Sequence, residues 1–75
     1  MKTLLNRIID GQNQSYELFL ELKPSSLPEH FDIRFFSKFS GANDPDSEQT
    51  KWKTTLPRDA IINLANYITE ELDNG

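Results

Sequence analysis

Cysteine is absent from this 75-residue chain, which excludes disulfide staples and thiolate metal sites and fits a reducing compartment. Histidine occurs once, as His30 beside Glu29 and Asp32, so no second imidazole exists to complete a transition-metal site. Glycine is scarce: Gly11, Gly41 and Gly75 sit at expected turns or the terminus, and neither a phosphate-cradling glycine loop nor a nucleophile elbow is present. Long apolar runs are missing as well. Leu4, Leu5, Ile8 and Ile9 are interrupted by Asn6 and Arg7, which makes the stretch too short and too polar for a signal sequence or a membrane span. The expectation is a single small domain over residues 1–75, soluble and cytoplasmic, without enzymatic activity, cofactor, metal or membrane partner.

A chain this short buries only roughly 60% of its unfolded surface. With no covalent staple available, assembly into a homodimer is the expected way to enlarge the core. The formal net charge is −4, and its distribution matters more than its sum. Residues 1–30 carry three basic and four acidic side chains, residues 31–58 five and four, and residues 59–75 none and four. The middle is slightly basic and the C-terminal segment acidic.

Ser15 to Lys23 alternates cleanly, with Tyr16, Leu18, Leu20 and Leu22 on one side and Glu17, Phe19, Glu21 and Lys23 on the other, the period of a strand. The prolines at 24 and 28 end it. His30 to Ser40 is a second strand, with Ile33, Phe35 and Phe39 opposite Asp32, Arg34, Phe36 and Lys38. After the polar loop 41–49, Thr50 to Leu56 returns as a strand with Trp52, Thr54 and Leu56 inward. Thr3 to Asp10 reads as strand or helix, with the strand favoured by the Asp10-Gly11 turn that follows. From Pro57 the spacing of Ile61, Leu64, Ala65, Ile68 and Leu72 predicts a helix to about residue 72 or 73. Pro57 suits its first turn and Asp59 its positive end. The fold class is therefore α+β: a three- to four-stranded antiparallel meander with one C-terminal α-helix packed on one face.

That packing leaves the other face open, and the expected register places Phe19 and Phe36 there among Lys23, Arg34, Lys38, Lys51 and Lys53. Rings interleaved with cations are what single-stranded nucleic acid requires, since bases stack on the rings while Lys and Arg follow the phosphates. Glu17, Glu21 and Asp32 share the face, and a solvated surface of cross-strand ion pairs is the plainer alternative. Asp44, Asp46 and Glu48 have the alternate spacing that opens a calcium loop, but Gln49 and Thr55 stand where glycine and glutamate are needed.

HFDIRFFSKF, the loop after it, and KWKTTLPRDAIINLANYI resemble the strand, loop, strand and helix of the positive-cofactor-type coactivators and purine-rich-element-binding proteins. The resemblance implies a curved four-stranded sheet with a helix, paired as a dimer, that grips single-stranded DNA or RNA. By position it implies roles for Arg34, Phe36 and Lys38 on one strand and for Lys51 and Lys53 on the next. A second reading is a protein-binding adaptor or inhibitor that uses the acidic helix, with Glu70 and Glu71 facing a basic partner and Ile62 or Tyr67 as apolar anchors.

Overall fold

The computed structural model describes residues 1–74. Four strands, β1 (Lys2–Ile9), β2 (Ser15–Pro24), β3 (His30–Phe39) and β4 (Gln49–Pro57), precede one helix, α1 (Arg58–Asn74). The strands form a single antiparallel sheet in the order β1-β2-β3-β4. Residues 2–9 are thus strand, as the turn after them suggested. Asp10 ends β1 with its own carboxylate, which accepts the backbone N–H groups of Gln12 and Gln14 at 2.8 and 3.0 Å. Asn13 takes a positive φ of 60° in that turn, a conformation asparagine tolerates better than most residues.

Cross-strand partners share a face, so the register separates two surfaces. Tyr16 pairs with Phe39, Leu18 with Ser37, Leu20 with Phe35 and Leu22 with Ile33. Trp52, Thr54 and Leu56 of β4 lie opposite Phe35, Ile33 and Phe31. These residues make up face A, where none of the residues placed by the register is charged. The intervening positions make face B, on which Glu17 meets Lys38, Phe19 meets Phe36, Glu21 meets Arg34 and Lys53 meets Arg34 from the other side. The alternation seen in the sequence therefore sorts residues as expected in β2, in β3 and from Trp52 onward in β4; before Trp52 the expected alternation fails, because Thr50 rather than Lys51 pairs with Phe36 on face B. Register shifts at Leu5 and Lys51 mark a bulge in each edge strand, a feature that twists an edge and disfavours unlimited pairing.

The helix forms as the periodicity requires, but it does not pack on either face. No residue of α1 is buried, and Leu64, Tyr67, Ile68 and Leu72 of its sequence are all exposed. The cause is the junction. Strand β4 ends at Pro57 and α1 begins at Arg58 with no loop between them, so Pro57 closes the strand rather than opening the helix. The Arg58 N–H donates to the Glu29 carbonyl at 2.9 Å, which pins the first helical residue to the β2–β3 turn. Without a loop, α1 has no slack to fold back onto a face. It touches the sheet only near its start, where Arg58, Ile61 and Ile62 line a small hollow with Leu22 and Phe31.

Among the described residues only Ile33 and Phe36 are buried, at 5% and 1% exposure. The molecule measures 42 × 36 × 16 Å, with a radius of gyration of 15.0 Å where a compact chain of this length has about 11 Å. It exposes 5874 Å² at a mass of 8.7 kDa; a compact monomer of that mass exposes about 4,700 Å². Exposed apolar side chains of face A (Ile8, Tyr16, Leu22, Trp52) and of α1 (Leu64, Tyr67, Ile68, Leu72) contribute to this excess of about 1,100 Å².

Candidate functional site

Face B carries the side chains expected to act, and its geometry differs from the expectation in two places. The first is Phe36. Alternation puts it among the charges, yet it is the most buried residue of the chain. Its ring stacks on Phe19 at 5.1 Å with planes 8° apart. Arg34 Cζ lies 4.3 Å and Lys2 Nζ 5.4 Å from its centroid, close enough for both cations to interact with the ring. A ring covered in this way offers no face to a base, so Phe36 as it stands is a packing residue rather than a stacking platform.

The second is Arg34. Its guanidinium donates through Nε to Glu21 at 3.0 Å, through Nη2 to Glu48 at 2.8 Å and through Nη1 to the Thr50 hydroxyl at 3.3 Å. Lys2 Nζ reaches the second oxygen of Glu48 at 2.9 Å and lies 3.8 Å from Glu21. The Lys2 hydrogen bond, then that of Arg34, holds the Glu48 carboxyl down to about 2. Glu21 is lowered as well, chiefly by its hydrogen bond from Arg34. The sequence signalled neither Lys2 nor Glu48 as a member of this cluster, because they lie 46 residues apart and meet only when β1 takes its place in the sheet.

Of the other expected residues, Phe19 and Lys38 are half-buried, and Lys51 and Lys53 are exposed. Lys38 extends over the outer ring, with Nζ 5.6 Å from the Phe19 centroid. Lys51 sits in the β4 bulge and is exposed, and Lys53 is exposed beside an open groove of about 600 Å³ bounded also by Glu21, Lys23, Asp32 and Arg34. Face B holds Lys2, Arg7, Lys23, Arg34, Lys38 and Lys53 against Glu17, Glu21, Asp32 and the incoming Glu48. Six cations against four anions give this surface a net charge of +2 on a chain of −4. The anions are engaged: Glu17 by Arg7 at 2.7 Å, Glu21 and Glu48 as above, and Asp32 by the Thr55 hydroxyl at 2.6 Å. Among the described residues, Lys23, Lys38 and Lys53 make no ion pair.

The residues of the second reading, Ile62, Tyr67, Glu70 and Glu71, are all exposed on α1. The last turn of the helix contains no basic residue, so Glu70, Glu71 and Asp73 face the negative end of the helix dipole uncompensated. His30 Nδ1 lies 2.8 Å from the Pro28 carbonyl oxygen, which accounts for its one ring contact within the β2–β3 turn. No described helix is long and apolar enough to cross a membrane, and among the described residues no group of three or more His, Cys, Asp or Glu could hold a metal ion. No protein-family model matches the chain, and neither a curated protein nor a solved structure matches it.

Proposed function

We propose that the chain is a non-catalytic binding module that pairs with a second copy of itself through face A and α1, and presents face B to single-stranded nucleic acid. The observation that carries this reading is the separation of the two surfaces. Face A is uncharged, while face B is positive on an otherwise acidic chain. Lys23, Lys38, Lys51 and Lys53 follow the phosphates, and Phe19 with Lys38 offers the stacking position that Phe36 does not. The resemblance of the β3–β4–α1 stretch to single-strand-binding coactivators points the same way.

The dimer rests on area. Covering about 1,100 Å² on each of two chains gives an interface of about 2,200 Å², the range of permanent homodimers. A helix of 17 residues is about 25 Å long, comparable to the length of the strands it would cross. A partner's α1 on face A, with the reverse contact made by symmetry, covers both apolar surfaces at once.

Fluorescence anisotropy of labelled single-stranded oligonucleotides at two salt concentrations tests the binding face. Lys38→Ala with Lys53→Ala is expected to weaken binding and to flatten the salt dependence by about 0.7 in the logarithmic slope for each phosphate that is no longer neutralised. A wild-type slope in that variant, or no binding at low salt, would rule the reading out. The acidic end of α1 favours a second reading, a basic protein docked on Glu70 and Glu71, whose charge would relieve the uncompensated dipole.

A further inference from the structure

Glu48 is the last residue of the loop that joins β3 to β4, and its carboxylate is held from two sides, by Lys2 Nζ at 2.9 Å and Arg34 Nη2 at 2.8 Å. Beneath these two cations lies the ring of Phe36. Arg34 is steadied in plane by Glu21 through Nε and by the Thr50 hydroxyl through Nη1. A fixed guanidinium and an ammonium converging on one oxyanion above an aromatic ring are the parts that hold a phosphodiester beside a stacked base. Here the chain supplies the oxyanion itself.

We propose that Glu48 is an internal substitute for a phosphate, occupying an anion site formed by Lys2 and Arg34 over Phe36, and that a nucleic-acid phosphate binds there by displacing it. The inference rests on the nucleic-acid reading of face B and adds its regulation. The loop carries three acidic residues, the half-buried Glu48 and the exposed Asp44 and Asp46, so its departure removes negative charge from beside Lys2 and Arg34. Displacement exchanges two charge-assisted hydrogen bonds for two others, and the site therefore contributes little net affinity while Glu48 competes. Lys2 and Arg34 are thus withdrawn from the binding surface by one side chain.

The test compares wild type, Glu48→Gln and Asp46→Asn by anisotropy with labelled oligothymidylate. The two variants remove the same charge from the same loop, but Asp46 touches neither Lys2 nor Arg34. Glu48→Gln is expected to bind about tenfold more tightly, with a salt slope steeper by about 0.7 for each additional phosphate neutralised; Asp46→Asn should stay near wild type. Equal effects of the two variants, or no tightening in Glu48→Gln while wild type binds, would overturn the displacement and leave the nucleic-acid reading standing. Absence of binding by all three at low salt would remove both.

A second readout needs no variant. In a wild-type titration followed by NMR, the Glu48 carboxyl carbon is expected to titrate near 2 in the free protein and near its ordinary value of 4.5 once oligonucleotide saturates the face. An unchanged titration in the complex would show that Glu48 keeps its place and would defeat the proposal.

Discussion

Phe36 shows how a residue can obey the strand period and still defy its meaning. The period puts it on the charged face, where aromatic side chains read as binding groups. The long side chains of Lys2 and Arg34 and the returning Glu48 then close over it, an arrangement that no local pattern announces. Phe36→Ala is expected to cost about 3–5 kcal/mol, measured as a lower urea midpoint; a loss below about 1 kcal/mol would mean that the ring is not the packing centre its burial implies. Glu48 gives a prediction in pH. Its folded carboxyl is depressed from 4.5 to about 2, so its stabilisation is complete above the ordinary value and is lost as pH falls through the folded one. Stability followed between pH 5 and 2 should therefore decline less steeply in Glu48→Gln than in wild type. Parallel curves would mean that Glu48 does not account for the acid sensitivity. Glu21 acts with the same sign, so some decline remains in the variant.

The elements themselves were largely legible. Alternation located β2, β3 and β4 with their faces, and the 3.6-residue spacing located α1, because both signals are local and repeat over many residues. The helix's resting place was not legible, since periodicity shows that a stripe needs cover without showing which surface provides it. Gly41 reads in the sequence as a simple breaker, but a Cβ there would approach the tip of the Phe39 ring to 2.5 Å and the Gln14 amide to 2.6 Å. Gly41→Ala is accordingly expected to loosen the stack of Phe39 on Tyr16, which has a centroid spacing of 4.2 Å, and ring-proton shifts in NMR would report it. Unchanged shifts would show that Gln14 alone gives way. At the far end of α1, Glu70→Lys with Glu71→Lys should raise helix content by circular dichroism, by relieving the dipole at about 0.3–1 kcal/mol per charge. The same variant would slow association with a basic protein partner, and an unaltered rate at low salt would count against that second reading.

At the scale of the whole molecule, two buried residues among those described and a surface larger than that of a compact chain are the grounds for the proposed pairing. In the sequence, dimerisation was an expectation from chain length, the absence of cysteine and the resemblance; the surfaces proposed for it, the uncharged face A and the bare stripe of α1, come from the structure. Leu64→Glu with Ile68→Glu is expected to give a monomer in sedimentation equilibrium, with a melting temperature that no longer rises with protein concentration as the wild type's should. A wild-type chain that sediments as a monomer at all concentrations would refute the pairing. The loopless passage from Pro57 to Arg58 carries one more consequence. Because strand and helix are joined end to end, the junction sets the rotational phase of α1. One alanine inserted between them would turn every later residue by about 100° about the helix axis. Ile61, Leu64 and Ile68 would keep their identities and their mutual spacing while aiming elsewhere. A single uncharged residue, added without removing any side chain, would thus misdirect the whole stripe, and four together would bring it back to within about 40°.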